Sequence, residues 1–206
     1  MSIHKAHKLL FLWFIFQLIF VVALYYYTEE QVHNIYIESK KDEISKVMTM
    51  VHHHAESIIK ESANDSMEAR KQTEQKIVDY FEGFHIGDLY FWVNDHNAIA
   101  RVHPRDKVLG QFQNSYLRHM KQLESNPLFF ETRLNVNPVT DELQVKINGI
   151  MLLDPWKWVV GYGSYIDKSR IVEKTMLLMI IPVAGLLLCN AFIILYVRRM
   201  TNSQTS

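Results

Sequence analysis

The stretch PWKWVVGYGSYID, Pro155 to Asp167, decides how the chain is read. Its aromatic and β-branched residues predict a strand over Trp156–Ile166, because such side chains fill a pleated, half-buried surface. Shortly after it comes Met176–Val197, which holds no charged residue. A second uncharged run, Leu9–Tyr27, stands near the other end. Each is long enough to cross the roughly 30 Å hydrocarbon core as a helix rising 1.5 Å per residue. The expected order is therefore a span, an extramembrane domain, and a last strand that feeds straight into a second span.

The charges sort around these runs. Among 206 residues with zero formal net charge, all 22 acidic residues fall between Glu29 and Glu173. The outer flanks carry Lys5, Lys8, Arg198 and Arg199 with no acid, which predicts both termini in the cytoplasm. The boundaries read as a cytoplasmic start at 1–8, spans at 9–27 and 176–197, a periplasmic domain at 28–175 and a short cytoplasmic tail at 198–206. With four of the 22 Lys and Arg at the ends, the central segment has 18 against 22 Asp and Glu, a net of about −4 that speaks against a nucleic-acid surface. Leu24-Tyr25-Tyr26-Tyr27 offers no small-x-small cleavage site, so the first span reads as a retained anchor with an interfacial tyrosine belt. The only cysteine, Cys189, lies in the second span and leaves the domain without disulfide or Cys-based metal or haem site.

Between the spans the pattern changes once. From Thr28 to about Phe84 there is no proline, and Ile44, Val47, Met48, Val51, Ile58 and Ile59 recur at helical spacing, followed by a second helical stretch with Met67, Ile77, Val78 and Phe81. A continuous helix from Thr28 to Ile59 would be about 48 Å long. Beyond Phe84 come Tyr90–Val93 and Ala98–Val102 around the turn residues Asp95-His96-Asn97, then a loop and short helix over Gly110–Ser125. Phe129–Val136, Glu142–Leu153 and Trp156–Ile166 are three further strands, separated by Asn137-Pro138-Val139-Thr140-Asp141 and Asp154-Pro155. The fold class is α+β: a long N-terminal helix and an antiparallel sheet of about five strands, flanked by two transmembrane helices.

Four segments in this order, YFWVND (Tyr90–Asp95), VHP (Val102–Pro104), LGQ (Leu109–Gln111) and PWKWVVGYGSYID, resemble the single Cache domain of the sCache_2 type, over about Glu43–Arg170. The resemblance implies a PAS-like periplasmic sensing module, as found at the front of bacterial chemoreceptors, histidine kinases and diguanylate cyclases. It further implies a small ligand, notably a short carboxylate such as acetate, propionate, pyruvate or lactate, held between the sheet and the loop and helix after the second strand.

A small carboxylate needs a cation or several donors in a largely dry pocket. Arg101 and His103 stand two apart on one strand and are expected on one face, as are Tyr90 and Trp92 on its neighbour. Lys146 occupies the position of the family's fourth-strand lysine. Tyr90 and Trp92 as aromatic wall, with Arg101, His103 and Lys146 as donors, form the expected ligand site. Where the family pattern continues to a tyrosine and a second lysine, this chain has Gly149 and Met151, which reads as a loss of polar anchors. Trp156, Trp158 and the Tyr90–Trp92 run also suit a packed core.

Neither metal, cofactor nor catalysis is expected. His52-His53-His54 point about 100° apart on a helix and cannot meet at one ion. No phosphate loop, nucleophile elbow or paired-carboxylate motif is present, so the chain is not read as an enzyme. In the spans, Gln17 and Asn190 each lie about 11 to 12 Å from the cytoplasmic edge, which predicts a hydrogen bond between helices. Gly185 and Cys189 form a small-xxx-small face.

Nine residues after the second span predict a disordered tail and no output domain. The expected partners are thus a small ligand, the membrane, and either a second copy or a separate membrane signalling protein. A truncated receptor half and a non-binding scaffold are the competing readings.

Overall fold

The computed structural model describes residues 3–61, 66–154 and 156–202. The elements run α1 (Ile3–Glu61), α2 (Met67–Glu82), β1 (Phe91–Asn94), β2 (Ala100–Val102), a 3-10 turn (Asp106–Val108), α3 (Ser115–Leu123), β3 (Leu128–Val136), β4 (Leu143–Leu153), β5 (Trp158–Tyr165) and α4 (Lys168–Asn202). The chain divides into two compact units, Met1–Ile37 with Asp167–Ser206, and Glu38–Ile166. α1 contributes to both.

The first unit is a helix pair built from the start of α1 and from α4. Both helices are long and apolar enough to cross a membrane, and only 6% of each most apolar window is covered by the chain itself. Phe11, Leu18, Ile181 and Phe192 point outward, at 66%, 66%, 81% and 71% exposure. A soluble core helix would hide these side chains, whereas lipid accepts them. Gln17 is buried in the pair, and its side-chain carbonyl accepts a hydrogen bond from Asn190 Nδ2 at 2.8 Å. Trp13 Nε1 donates to Asn190 Oδ1 at 3.3 Å. The bond expected from matching depth is present within one chain. We expect Gln17→Leu with Asn190→Leu to loosen the pair by about 0.6 to 2 kcal/mol, read as a lower melting temperature in nanodiscs. An unchanged melt would mean that the amides are merely tolerated.

Two sequence expectations change here. Gly185 and Cys189 do not bring these helices together: nothing lies within 4 Å of where a Gly185 Cβ would stand, and Cys189 is exposed. Arg198–Asn202 continues α4 instead of forming a disordered tail, because no proline or glycine stops the helix. The tail's remainder, 203–206, lies outside the described residues, as do 62–65 and 155. At its other end α4 begins beside Asp167, whose Oδ1 accepts the backbone N–H groups of Ser169 and Arg170.

The second unit is an antiparallel sheet in the order β2-β1-β5-β4-β3. One face receives helices. Ile44, Met48, Val51, Ala55 and Ile59 form the buried stripe of α1. That helix approaches so closely that a Cβ on Gly149 would stand 2.6 Å from Ile44 Cγ2. α2, opened by Ser66 accepting from Ala69 N–H, sends Phe81 onto Phe91, which stacks on Tyr162 at 4.8 Å. The opposite face carries Ile150 and Val159, covered by Tyr116 and Leu123 of α3. His52 Nε2 ties α1 to β4 at 2.7 Å from Leu152 O, while the His54 ring packs on Tyr80. The histidine run is thus divided between packing duties.

Candidate functional site

Period-two alternation decides which side chains reach the α3 face. In β4, Lys146, Asn148 and Ile150 share it, while Ile147, Gly149 and Met151 turn to the helices. Across the sheet, Lys146 stands opposite Arg133 and Tyr165, Asn148 opposite Glu131 and Gly163, and Ile150 opposite Phe129 and Gly161, which in turn faces Trp92. Between this face, α3 and the segment after β2 lies a cleft of about 360 Å³. Its place agrees with the position implied by the resemblance.

Tyr90, Trp92 and His103 line this cleft, with Asn94, Arg105, Arg118, His119, Glu131, Arg133 and Asn148 among their neighbours. Of the five expected residues, Lys146 lies just behind the lining. Its Nζ sits 3.5 Å from the centre of the Tyr90 ring and 5.1 Å from that of Tyr165. Lys146 is fully buried, and its ammonium finds no hydrogen-bond acceptor among the described residues. Burial pushes its pKa down to about 7, a shift that Asp88 partly opposes.

Arg101 is not brought to the cleft. β1 and β2 pair Val93 with Val102 but Asn94 with Ala100, so Arg101 is the extra residue of a β-bulge. A bulge re-aims the side chain it inserts, and the two-residue spacing from His103 no longer means a shared face. Arg101 instead lies over the Trp158 ring and 3.6 Å from Asp95. Asp95 is itself buried and holds the hairpin by accepting the N–H groups of Asn97 and Ile99.

The reading of Gly149 and Met151 as lost anchors is also overturned. Both positions face the α1 side, so a tyrosine or lysine there would not point into this cleft.

The cleft's donors are specific. His103 Nδ1 accepts the Arg105 backbone N–H at 3.1 Å, which leaves the ring proton on Nε2. Burial, then the Arg105 charge, lowers the His103 pKa to about 4, so the ring is a neutral donor at physiological pH. Tyr165 donates to Val136 O at 2.9 Å, and Tyr90 to the Tyr165 hydroxyl at 3.4 Å. Burial raises the pKa of both phenols.

Glu131 is the one acid lining the cleft among the described residues. Arg118 approaches it at 3.0 Å, Arg133 at 2.9 Å and His119 at 3.4 Å. Burial lowers the His119 pKa against the pull of Glu131. Arg105 forms no ion pair among the described residues and remains available to a ligand.

Asn148 could be found from sequence by stepping two residues on from Lys146. Arg118, His119 and Glu131 could not, since their meeting depends on how α3 docks.

Gly161 fixes the cleft wall. A Cβ there would overlap the Trp92 indole, so we expect Gly161→Ala to cost about 1 to 3 kcal/mol and to shift tryptophan fluorescence as the ring is displaced. Wild-type melting and an unchanged spectrum would show that the indole does not need this space.

A sequence model of the Cache domain, dCache_2, matches residues 20–182. The motifs resemble the sCache_2 type, and the level shared with this match is the Cache domain itself. The chain is similar to a solved periplasmic sensor domain of a chemotaxis protein, with 22% identity and TM-score 0.52 over 62% of this chain and 97% of that one. It is also similar to a Cache chemosensory domain solved for carboxylic acid recognition, with 22% identity and TM-score 0.50 over 66% and 98%. A methyl-accepting chemotaxis protein from Vibrio parahaemolyticus RIMD 2210633 shares 18% identity and TM-score 0.51 over 68% and 97%. The structures share the fold, and the sequence match takes in the whole sheet and reaches into both apolar helices: the chain belongs to the Cache-domain family.

Proposed function

We propose that this chain is a two-pass inner-membrane sensor whose periplasmic cleft binds a short carboxylate and passes occupancy to a second copy or to a membrane signalling partner. The basic flanks support cytoplasmic termini. The observation that carries the ligand reading is Lys146, a buried amine without an acceptor directly behind the lining of a polar cleft. Burying a charge without a partner costs several kcal/mol, and a carboxylate would offset that cost.

Arg105 and the His103 Nε2–H supply further donors, and Tyr90 and Trp92 the walls. Tyr90 and His103 also border a second cavity of about 270 Å³. The Tyr90 ring therefore has space to swing aside and let a carboxylate oxygen reach Lys146. Such a movement favours one state by the ligand's differential affinity for the two.

The test is calorimetry and thermal melting of the full chain in nanodiscs against acetate, propionate, pyruvate and lactate. A ligand at a hundred times its dissociation constant should add about 2.7 kcal/mol. Arg105→Gln should weaken binding about tenfold or more, as expected for loss of one charge-assisted hydrogen bond. No binding across the four acids, with a folded protein, would sink the carboxylate reading.

A further inference from the structure

Glu131 occupies a position where a ligand group would be expected. It belongs to β3, yet its carboxylate reaches the cleft, where Oε1 takes Arg118 at 3.0 Å and Arg133 at 2.9 Å. Its Oε2 lies 3.4 Å from His119 Nε2 and 3.5 Å from Arg118 Nη2. Two guanidiniums converging on one carboxylate is the geometry by which proteins bind anions. Here the anion is the chain's own. His119 Nδ1 is buried on the same wall without a hydrogen-bond partner among the described residues, so the cluster is not closed upon itself.

We propose that Glu131 is an internal substitute for a second ligand carboxylate and restricts the cleft to monocarboxylates. This rests on the carboxylate reading above. The cations lining the cleft fall into two groups: Arg118 and Arg133, taken by Glu131, and Arg105, left open. A monocarboxylate finds one open cation together with the His103 donor. The second carboxylate of a dicarboxylate meets an occupied arginine pair and a like charge, which is unfavourable in a partly buried cleft. Selectivity thus comes from a repulsive group already in place, without any change in the groups that bind the first carboxylate. Removing the Glu131 charge frees Arg118 and Arg133 as a second anion subsite.

The experiment titrates propionate and succinate into the full chain in nanodiscs, as wild type, Glu131→Ala and Glu131→Gln. Glutamine keeps the size of the side chain and an oxygen acceptor while removing the charge, so it remains readable if alanine disturbs the fold; thermal melts check both. In the wild type, propionate should bind at least about tenfold tighter than succinate, as expected for one lost charge-assisted contact. In the variants, that ratio should shift towards succinate by about tenfold or more. Succinate binding the wild type as tightly as propionate, or an unchanged ratio in both variants, would overturn the assignment of Glu131 while leaving the carboxylate site intact. If neither acid binds any of the three folded proteins, the carboxylate reading falls, and the role of Glu131 with it.

Discussion

Lys146→Met should make the protein more stable, by on the order of 4 kcal/mol near pH 6. Lys146 ionises near 10.5 in an unfolded chain and near 7 in the fold. Between those values the unfolded state binds more protons, so wild-type stability climbs as pH rises through this window. Below about pH 7 the penalty is fully present, and above about pH 10.5 it is gone. Methionine has similar length and no charge, which removes the penalty and with it the slope. Urea denaturation of both proteins from pH 6 to 10 checks this, and the two curves should converge at the alkaline end. Parallel curves would mean that Lys146 is solvated in the folded protein. A substitution that stabilises a protein while removing its ligand response is the signature of a site built at the expense of stability.

Carboxylate binding should take up a proton above pH 7. A ligand carboxylate against Lys146 favours the ammonium form, so binding must recharge an amine that is mostly neutral at pH 8 in the empty cleft. Affinity should fall by up to about tenfold per pH unit above pH 7, the limit for one coupled proton. His103, already neutral well below this range, adds nothing to the slope. Calorimetry at pH 8 in buffers of different ionisation enthalpy should show uptake approaching one proton. Lys146→Met should abolish that uptake together with most of the binding. Binding that is independent of pH and buffer would place the carboxylate away from Lys146.

Local patterns made much of this architecture legible. The helical stripe from Ile44 to Ile59 and the strand candidates after Phe84 all correspond to elements, because each is written in spacing and turn residues within a short window. The Gln17–Asn190 bond was legible because membrane thickness turns residue count into depth. Misreadings occurred where the backbone departs from its period or where chemistry depends on distant docking. Arg101 has the correct spacing from His103, but the unpaired residue at the bulge lies at Arg101 itself. Gly149 and Met151 read in the sequence as losses to the site, but the β4 alternation turns them to the α1 side. Arg118, His119 and Glu131 come from different elements, so no spacing rule relates them. Lys146 was identified through resemblance; its burial and want of a partner required the folded sheet.

The hydrogen bond between the Gln17 and Asn190 side chains also limits which helix motions are open to this pair. Sliding α4 along α1 by one helical turn, about 5.4 Å, would strip both amides of their partner in a medium that offers few replacements. A tilt or rotation centred on this pair keeps the bond intact and leaves the helix ends free to move. Of these two motions, the piston stroke is the one that the hydrogen bond opposes.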